Sequence, residues 1–266
     1  MNTLHLYLRS MGILMKSRLQ YPASFLMQTL AQLIMEGGEL LAVILLIQRF
    51  EGVRQWVAGD LYFFFGIMSV TFYLTECFGR GLTGTFPSMV RSGHLDTLLL
   101  RPRGVLTQVL CSDMDPRRIA CIAVGTTALV MGSHMSHVVW TLPRVLLLME
   151  AILFGCMLIL GLFLIEAVFC IHSIKSVELV NAITYGGRSA CEYPVNIYPR
   201  TLQILFTCLA PFALVLQVPA SHILGKPLFG WPEWAAFVTP LSGAAVFSLM
   251  YLLFRQAVGH YRSSGS

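Results

Sequence analysis

Apolar residues occupy this chain in long blocks, and the blocks have the length of membrane-crossing helices, about 20 residues each. Six such blocks stand out, at 21–48, 61–78, 119–136, 145–171, 201–218 and 231–254. The third is the weakest and the fourth the longest without interruption. Pro211 and Pro240 fall inside the last two and Pro232 at the first turn of the sixth. Spanning helices tolerate such prolines because neighbouring helices re-satisfy the freed backbone groups. Residues 1–20 differ from the blocks. At 100° per residue, Leu4, Tyr7, Leu8, Met11, Leu14 and Met15 share one face, while His5, Arg9 and Lys16 lie on another. That pattern predicts an amphipathic helix in the membrane interface; a plain extension of the first span is the alternative. There is no continuous apolar core of the kind a cleavable signal peptide needs. The whole predicts an all-α polytopic membrane protein, with residues 1–266 forming a single transmembrane domain.

Composition narrows the class. Charged residues are 12% of the 266, about half the usual share in soluble domains, and mean hydropathy is +0.72. A soluble enzyme cannot cover its surface with so few polar side chains, and disorder needs the opposite balance. The net charge of +5 bears on topology rather than on nucleic acid, for which no partner role is expected. With the N-terminus inside, the inner segments hold 14 of the 18 Lys and Arg residues, Arg188 and Lys175 among them, and the outer loops hold Arg49, Arg54, Arg144 and Lys226. Basic residues collect on the cytoplasmic side, so both termini are expected in the cytoplasm, in a plasma or inner membrane. The seven cysteines form no C-x-x-C pair and suit neither disulfide staples nor zinc.

Candidate chemistry is sparse. No G-x-x-x-x-G-K-[ST] loop cradles phosphates and no H-E-x-x-H or G-x-S-x-G motif occurs, so no catalytic, metal or cofactor residue is expected. The longest inner segment, 79–118, predicts a short amphipathic helix at Gly84–Arg91 capped by Gly93. Leu95, Leu98, Leu99 and Leu100 follow as an apolar stripe that Pro102 ends. Five glutamates fall in or at the ends of the blocks: Glu36, Glu39, Glu76, Glu150 and Glu166. Ionisable groups at mid-bilayer cost about 2.5–3.5 kcal/mol on insertion scales and need partners or water. Glu36 and Glu39 share a face beside Gly37 and Gly38, which admit a close helix. They form either a polar patch on a translocation path or a hydrogen-bonded structural pair. Glu76 and Glu166 are expected to pair with loop arginines.

Three segments carry a family resemblance. Val90-Arg-Ser-Gly-His-Leu-Asp-Thr-Leu-Leu-Leu-Arg-Pro102 is similar to the loop "R-S-G-x-L-D-x-L-L-L-R-P" of six-span permease subunits of type-2 ATP-binding-cassette (ABC) exporters that work with a separate ATPase. Tyr193-Pro-Val-Asn-Ile-Tyr-Pro199, with Ala210-Pro-Phe-Ala213 and Val218-Pro-Ala220, supports it, as does the tail Gly259-His-Tyr-Arg-Ser-Ser-Gly-Ser266. The resemblance implies an ATP-driven export function, with Mg-ATP held by an ABC ATPase partner and none in this chain. It also implies a second permease subunit, identical or homologous, and contact with membrane lipids. On it, Phe86, Met89, Val90 and Arg91 of the coupling loop meet the ATPase, and Gly93, Asp96, Arg101 and Pro102 anchor that loop, Arg101 at anionic headgroups. Residues 175–200 make a second inner contact, and 217–232 resemble the outer hairpin. Rival readings are an ATP-independent secondary transporter or channel using Glu36 and Glu39, and a membrane scaffold for a cytoplasmic partner.

Overall fold

The computed structural model describes residues 3–50, 55–172 and 177–261, and within them every regular element is helical. Arg54, Lys175 and Arg262, with the tail beyond Tyr261, lie outside the described residues. Helix α1 (Thr3–Leu19) leads into α2 (Pro22–Phe50). Tyr7, Met11 and Leu14 turn its apolar face onto Cys77 and Met114, and Arg18 is tied to Asp113 at 2.9 Å. An amphipathic helix thus packs across one end of the bundle, as its periodicity predicts.

Helix α3 (Ala58–Arg80) is the central mast. Leu61, Phe63, Phe64, Phe65, Ile67, Met68 and Phe72 are all at most 1% exposed, so the aromatic block serves packing within this chain. Helix α7 (Arg118–Met135) packs along it although its apolar signal is the weakest of the blocks. Glycines explain the strength of that contact. A Cβ on Gly66 of α3 would lie 2.5 Å from Leu129 N, and one on Gly132 of α7 would lie 2.5 Å from Phe63 N. Small residues let helices associate in lipid, where hydrophobic driving force between them is absent. Gly132→Val is therefore expected to cost about 3 kcal/mol or more by overpacking, read as a lower thermal midpoint in detergent. Gly37→Ala is the control, because a Cβ there meets nothing within 4 Å; equal losses in both would contradict the packing argument.

The same open space around Gly37 and Gly38 corrects an expectation: among the described residues, no helix approaches α2 closely at those glycines. Helix α2 is in fact mostly uncovered, with Leu26, Met27, Leu30 and Ile34 exposed.

Helix α3 does not stop at residue 78. It widens into a π-helical turn, Gly81–Thr85, and continues as α4 (Phe86–Arg91), giving one helix of 34 residues over Ala58–Arg91. At 1.5 Å per residue it is about 50 Å long, some 20 Å longer than a hydrocarbon core. The short helix expected at Gly84–Arg91 is thus the protruding end of a span, not a separate rod. Gly81 permits this, since a Cβ there would overlap the Val109 carbonyl of α6 (Val105–Leu110). Gly93 then reverses the chain at φ 70° into α5 (Leu95–Leu99), as expected of a helix-ending glycine.

Helix α8 (Leu142–His172) matches the fourth block. Within 175–200, read as an inner segment, residues 177–191 form helix α9 (Val177–Cys191). It runs from the end where α8 finishes to the end where α3 begins: the Trp56 indole N–H donates to Asn196 Oδ1 at 3.0 Å just beyond α9. Insertion scales penalise Arg and Glu at a helix centre, and α9 carries both, which hid it among the polar segments.

The fifth block corrects as well. Residues 201–218 are not one straight span. Helix α10 (Arg200–Ile204) and the π-helical turn Leu205–Leu209 meet Ala213–Ile223, which ends in α11 (Val218–Ile223), at an 84° bend. Pro211 sits at the bend. Gln217 staples the pair to the end of α9, accepting from Val195 N at 2.8 Å and donating to Cys191 O at 2.8 Å and Tyr193 O at 2.7 Å. Helices α12 (Glu233–Val238) and α13 (Leu241–His260) form the last span, broken at Pro240.

Candidate functional site: buried ionic layers and a basic loop

Two layers of charge cross the bundle. The deeper one centres on Arg188, on the stripe Val180–Thr184–Arg188 that α9 buries. Its Nη2 lies 2.9 Å from Glu36, 2.7 Å from Glu39 and 3.1 Å from Glu192. The Tyr73 hydroxyl donates to Glu36. The guanidinium also lies 4.7 Å from the Tyr73 ring centroid and 5.4 Å from that of Phe72, a cation–π geometry. Glu36 is 1% exposed and the Glu39 side chain 37%, so Glu39 is the carboxyl that opens outward from the cluster. One guanidinium faces three carboxyl groups, and its Nε–H has no partner among the described residues.

Glu36 and Glu39 therefore do share a face, as their spacing requires, but that face meets a cation from an element read as a loop. The signal available in the sequence was electrostatic. Two carboxyls a turn apart in a span need a counter-charge, and Arg188 stands in a stripe of helical period.

The second layer lies a turn nearer Arg80. Glu76 binds Arg118 at 2.9 Å and Arg80 at 3.0 Å. Asp115 binds Arg117 at 2.6 Å and faces Arg118 at 3.5 Å. Gln32 of α2 accepts from Arg118 at 2.7 Å, and Gln28 accepts from Arg117. Burial pushes the Asp115 carboxyl up, but the hydrogen bonds and charge of Arg117, with the charges of Arg118 and Arg80, hold it below the ordinary carboxylate value. Its contribution to stability is full above the unfolded Asp value of about 3.9 and is lost as pH falls through the lowered one. Glu76 thus pairs with arginines as expected. Glu166 does not: it is 2% exposed, and no ion pair holds it among the described residues.

At the far end of the bundle a separate ion pair, Lys226 with Asp60, closes the bent pair onto α3, and Ser136 donates to Asp60 at 2.7 Å. Both layers and this pair join elements distant in sequence, so each acts as a clasp between helices.

The loop 79–118 separates into buried and exposed residues. Phe86 is fully buried, its ring 5.8 Å from that of Phe254 on α13, so it cannot enter a partner's cleft. Met89 and Val90 pack partly onto the same core. Arg91 is exposed, Asp96 is half-buried in the first turn of α5, and Arg101 and Pro102 are exposed. The apolar stripe divides, with Leu95 and Leu98 inside and Leu99 and Leu100 outside, Leu100 at 86%. The exposed arginine and large apolar side chains of the loop are therefore at Arg91 and in the apex from Leu99 to Arg103.

One family model matches the chain, described as ABC-2 family transporter protein, over residues 33–265. That range takes in every charged residue of both ionic layers, the loop and the bent pair, and leaves α1 and the first turns of α2, with Gln28 and Gln32, outside. No curated protein and no solved structure matches.

Proposed function

The chain belongs to the ABC-2 family of transporter proteins, and from that premise we propose that it is the membrane-spanning permease subunit of an ATP-driven exporter. The observation that carries the reading is the family match over residues 33–265, which covers every helix from the middle of α2 to α13. Helices α2, α3, α7, α8, α9 and the α12–α13 span then make six crossings, with α9 replacing the block at 201–218 and the bent pair 200–223 dipping in from the outer side. Both termini stay in the cytoplasm, in a plasma or inner membrane. A separate ATPase binds and hydrolyses Mg-ATP and docks on Arg91 and the exposed Leu99–Leu100 step of the apex. A second permease subunit, identical or homologous, covers the open apolar face of α2. Closure of the ATPase pair moves the loop, and because α3 runs unbroken into α4 the motion passes along the mast to the ionic layers. There, α2 and α9 separate or rejoin as the Arg188 clasp opens and closes, a hinge-type transition between inward- and outward-facing states.

Co-expression with the candidate ATPase tests the reading: the two are expected to purify together and to hydrolyse ATP faster than the ATPase alone. A chain that never retains the ATPase contradicts it. The excess of carboxyl groups at Arg188 favours a second reading, an ion-coupled carrier. Transport that survives ATP depletion and stops when the proton gradient is collapsed would select the carrier.

A further inference from the structure

We propose that the chain binds one anionic phospholipid at its basic end, with an acyl chain in a groove of the bundle and the phosphate held by Arg101 and Arg103. Two neighbouring cavities carry the inference. The first, about 420 Å³, lies between α3, α8 and α13 and is lined by Leu74, Phe78, Leu153, Met157 and Phe247, with Tyr7 of α1 at its end. Its polar groups are already spent inside the chain. The Thr75 hydroxyl donates to Thr71 O at 2.9 Å, and the Cys156 thiol approaches the same carbonyl at 3.7 Å. An apolar occupant suits such a wall, and a polar one finds no donor in it.

The second cavity, about 470 Å³, is lined by His94, Arg101, Arg103 and Gln108, with Ser10 of α1 and Cys111 after α6. No carboxylate lines it, and among the described residues neither arginine has an ion pair, unlike Arg18, Arg80, Arg117, Arg118 and Arg188. The turn that carries the arginines is fixed in advance, because Gln108 Nε2 donates to Leu98 O and to Arg103 O, both at 3.0 Å. The cavities adjoin: Tyr7 and Leu110 line the first, Ser10 and Cys111 the second. The greasy groove lies beside the last turns of α3, and the basic cleft lies beyond the end of that helix. Chain below and phosphate above is the order of parts in a phospholipid, and guanidinium forks match phosphate oxygens. A zwitterionic headgroup would bring its own cation against the arginines.

Sidedness rests on the permease reading, which makes this the cytoplasmic leaflet; the lipid chemistry does not rest on it. The test uses the full chain purified with its ATPase from vesicles of phosphatidylcholine mixed with phosphatidylglycerol, with retained lipid counted by native mass spectrometry. Wild type is expected to retain phosphatidylglycerol selectively. R101Q/R103Q is expected to bind it about thirty-fold more weakly, two surface cations' worth, and Met157→Trp, which fills the groove, is expected to lose it with both arginines intact. Selective retention unchanged in both variants overturns the proposal. So does displacement of the lipid by free glycerol phosphate, which marks a simple anion site. If R101Q/R103Q sheds the ATPase but keeps the lipid, the arginines belong to the partner contact, and the lipid site falls while the permease reading stands. If the lipid effects appear and no ATPase is ever retained, the lipid site stands and the permease reading falls.

Discussion

Replacing Arg188 by leucine is expected to remove most of the folded protein recovered from membranes and to cost about 3–5 kcal/mol, the range for leaving buried charge without its partner. The reason is geometric. Glu36, Glu39 and Glu192 all lie within 3.1 Å of one guanidinium nitrogen, and among the described residues no other cation of α2 or α9 is paired with them. Arg188→Lys keeps the charge but not the planar fork or the stacking on Tyr73 and Phe72, so an intermediate loss is expected. The decisive comparison adds Glu36→Gln, Glu39→Gln and Glu192→Gln to Arg188→Leu. Removing both signs of charge together is often close to neutral for stability, so the fourfold variant is expected to recover the thermal midpoint of wild type while failing to transport. Recovery of transport as well would make the cluster purely structural. Failure to recover stability would mean that Arg188 acts through packing rather than charge.

The second large effect is at the loop. Arg91→Glu with Leu100→Ser is expected to weaken ATPase retention about thirty-fold, the size of one strong contact residue at roughly 2 kcal/mol, with insertion and thermal stability unchanged. Both side chains are exposed, so this chain loses no packing when they change. Phe86→Ala is expected to behave in the opposite way. It removes a ring buried against Phe254 and costs about 3–5 kcal/mol of stability, whatever the ATPase does. If Phe86→Ala detached the ATPase from an otherwise stable chain, the division of the loop into buried and exposed faces would be wrong.

How far the sequence could be read depended on whether a segment is apolar for its own sake or by virtue of a neighbour. Blocks such as 145–171 announce themselves because every residue prefers lipid or a helix to water. The loop motif carried its own turn, and Gly93 adopts the positive φ that a helix-ending glycine supplies. Helix α9 was illegible because its place in the bundle depends on Glu36 and Glu39, 149 or more residues away, and hydropathy is summed locally. Residues 201–218 were read as one straight span for the converse reason: they are apolar enough, yet the break at Pro211 and the Gln217 staple bend them by 84°. Phe86 was placed against a partner by the family resemblance, which does not show what this chain packs on that ring. Only the return of α13 to the same end of the bundle shows that this chain already fills that role itself.

A photoreactive amino acid placed at residue 100 tests the central claim most directly, with residue 139 as its counterpart. Leu100 and Val139 are both exposed, at 86% and 67%, and they lie at opposite ends of the bundle. In membranes carrying the chain and its ATPase, the account predicts that illumination captures the ATPase from residue 100 and not from residue 139. Capture from residue 139, or from neither, would contradict it.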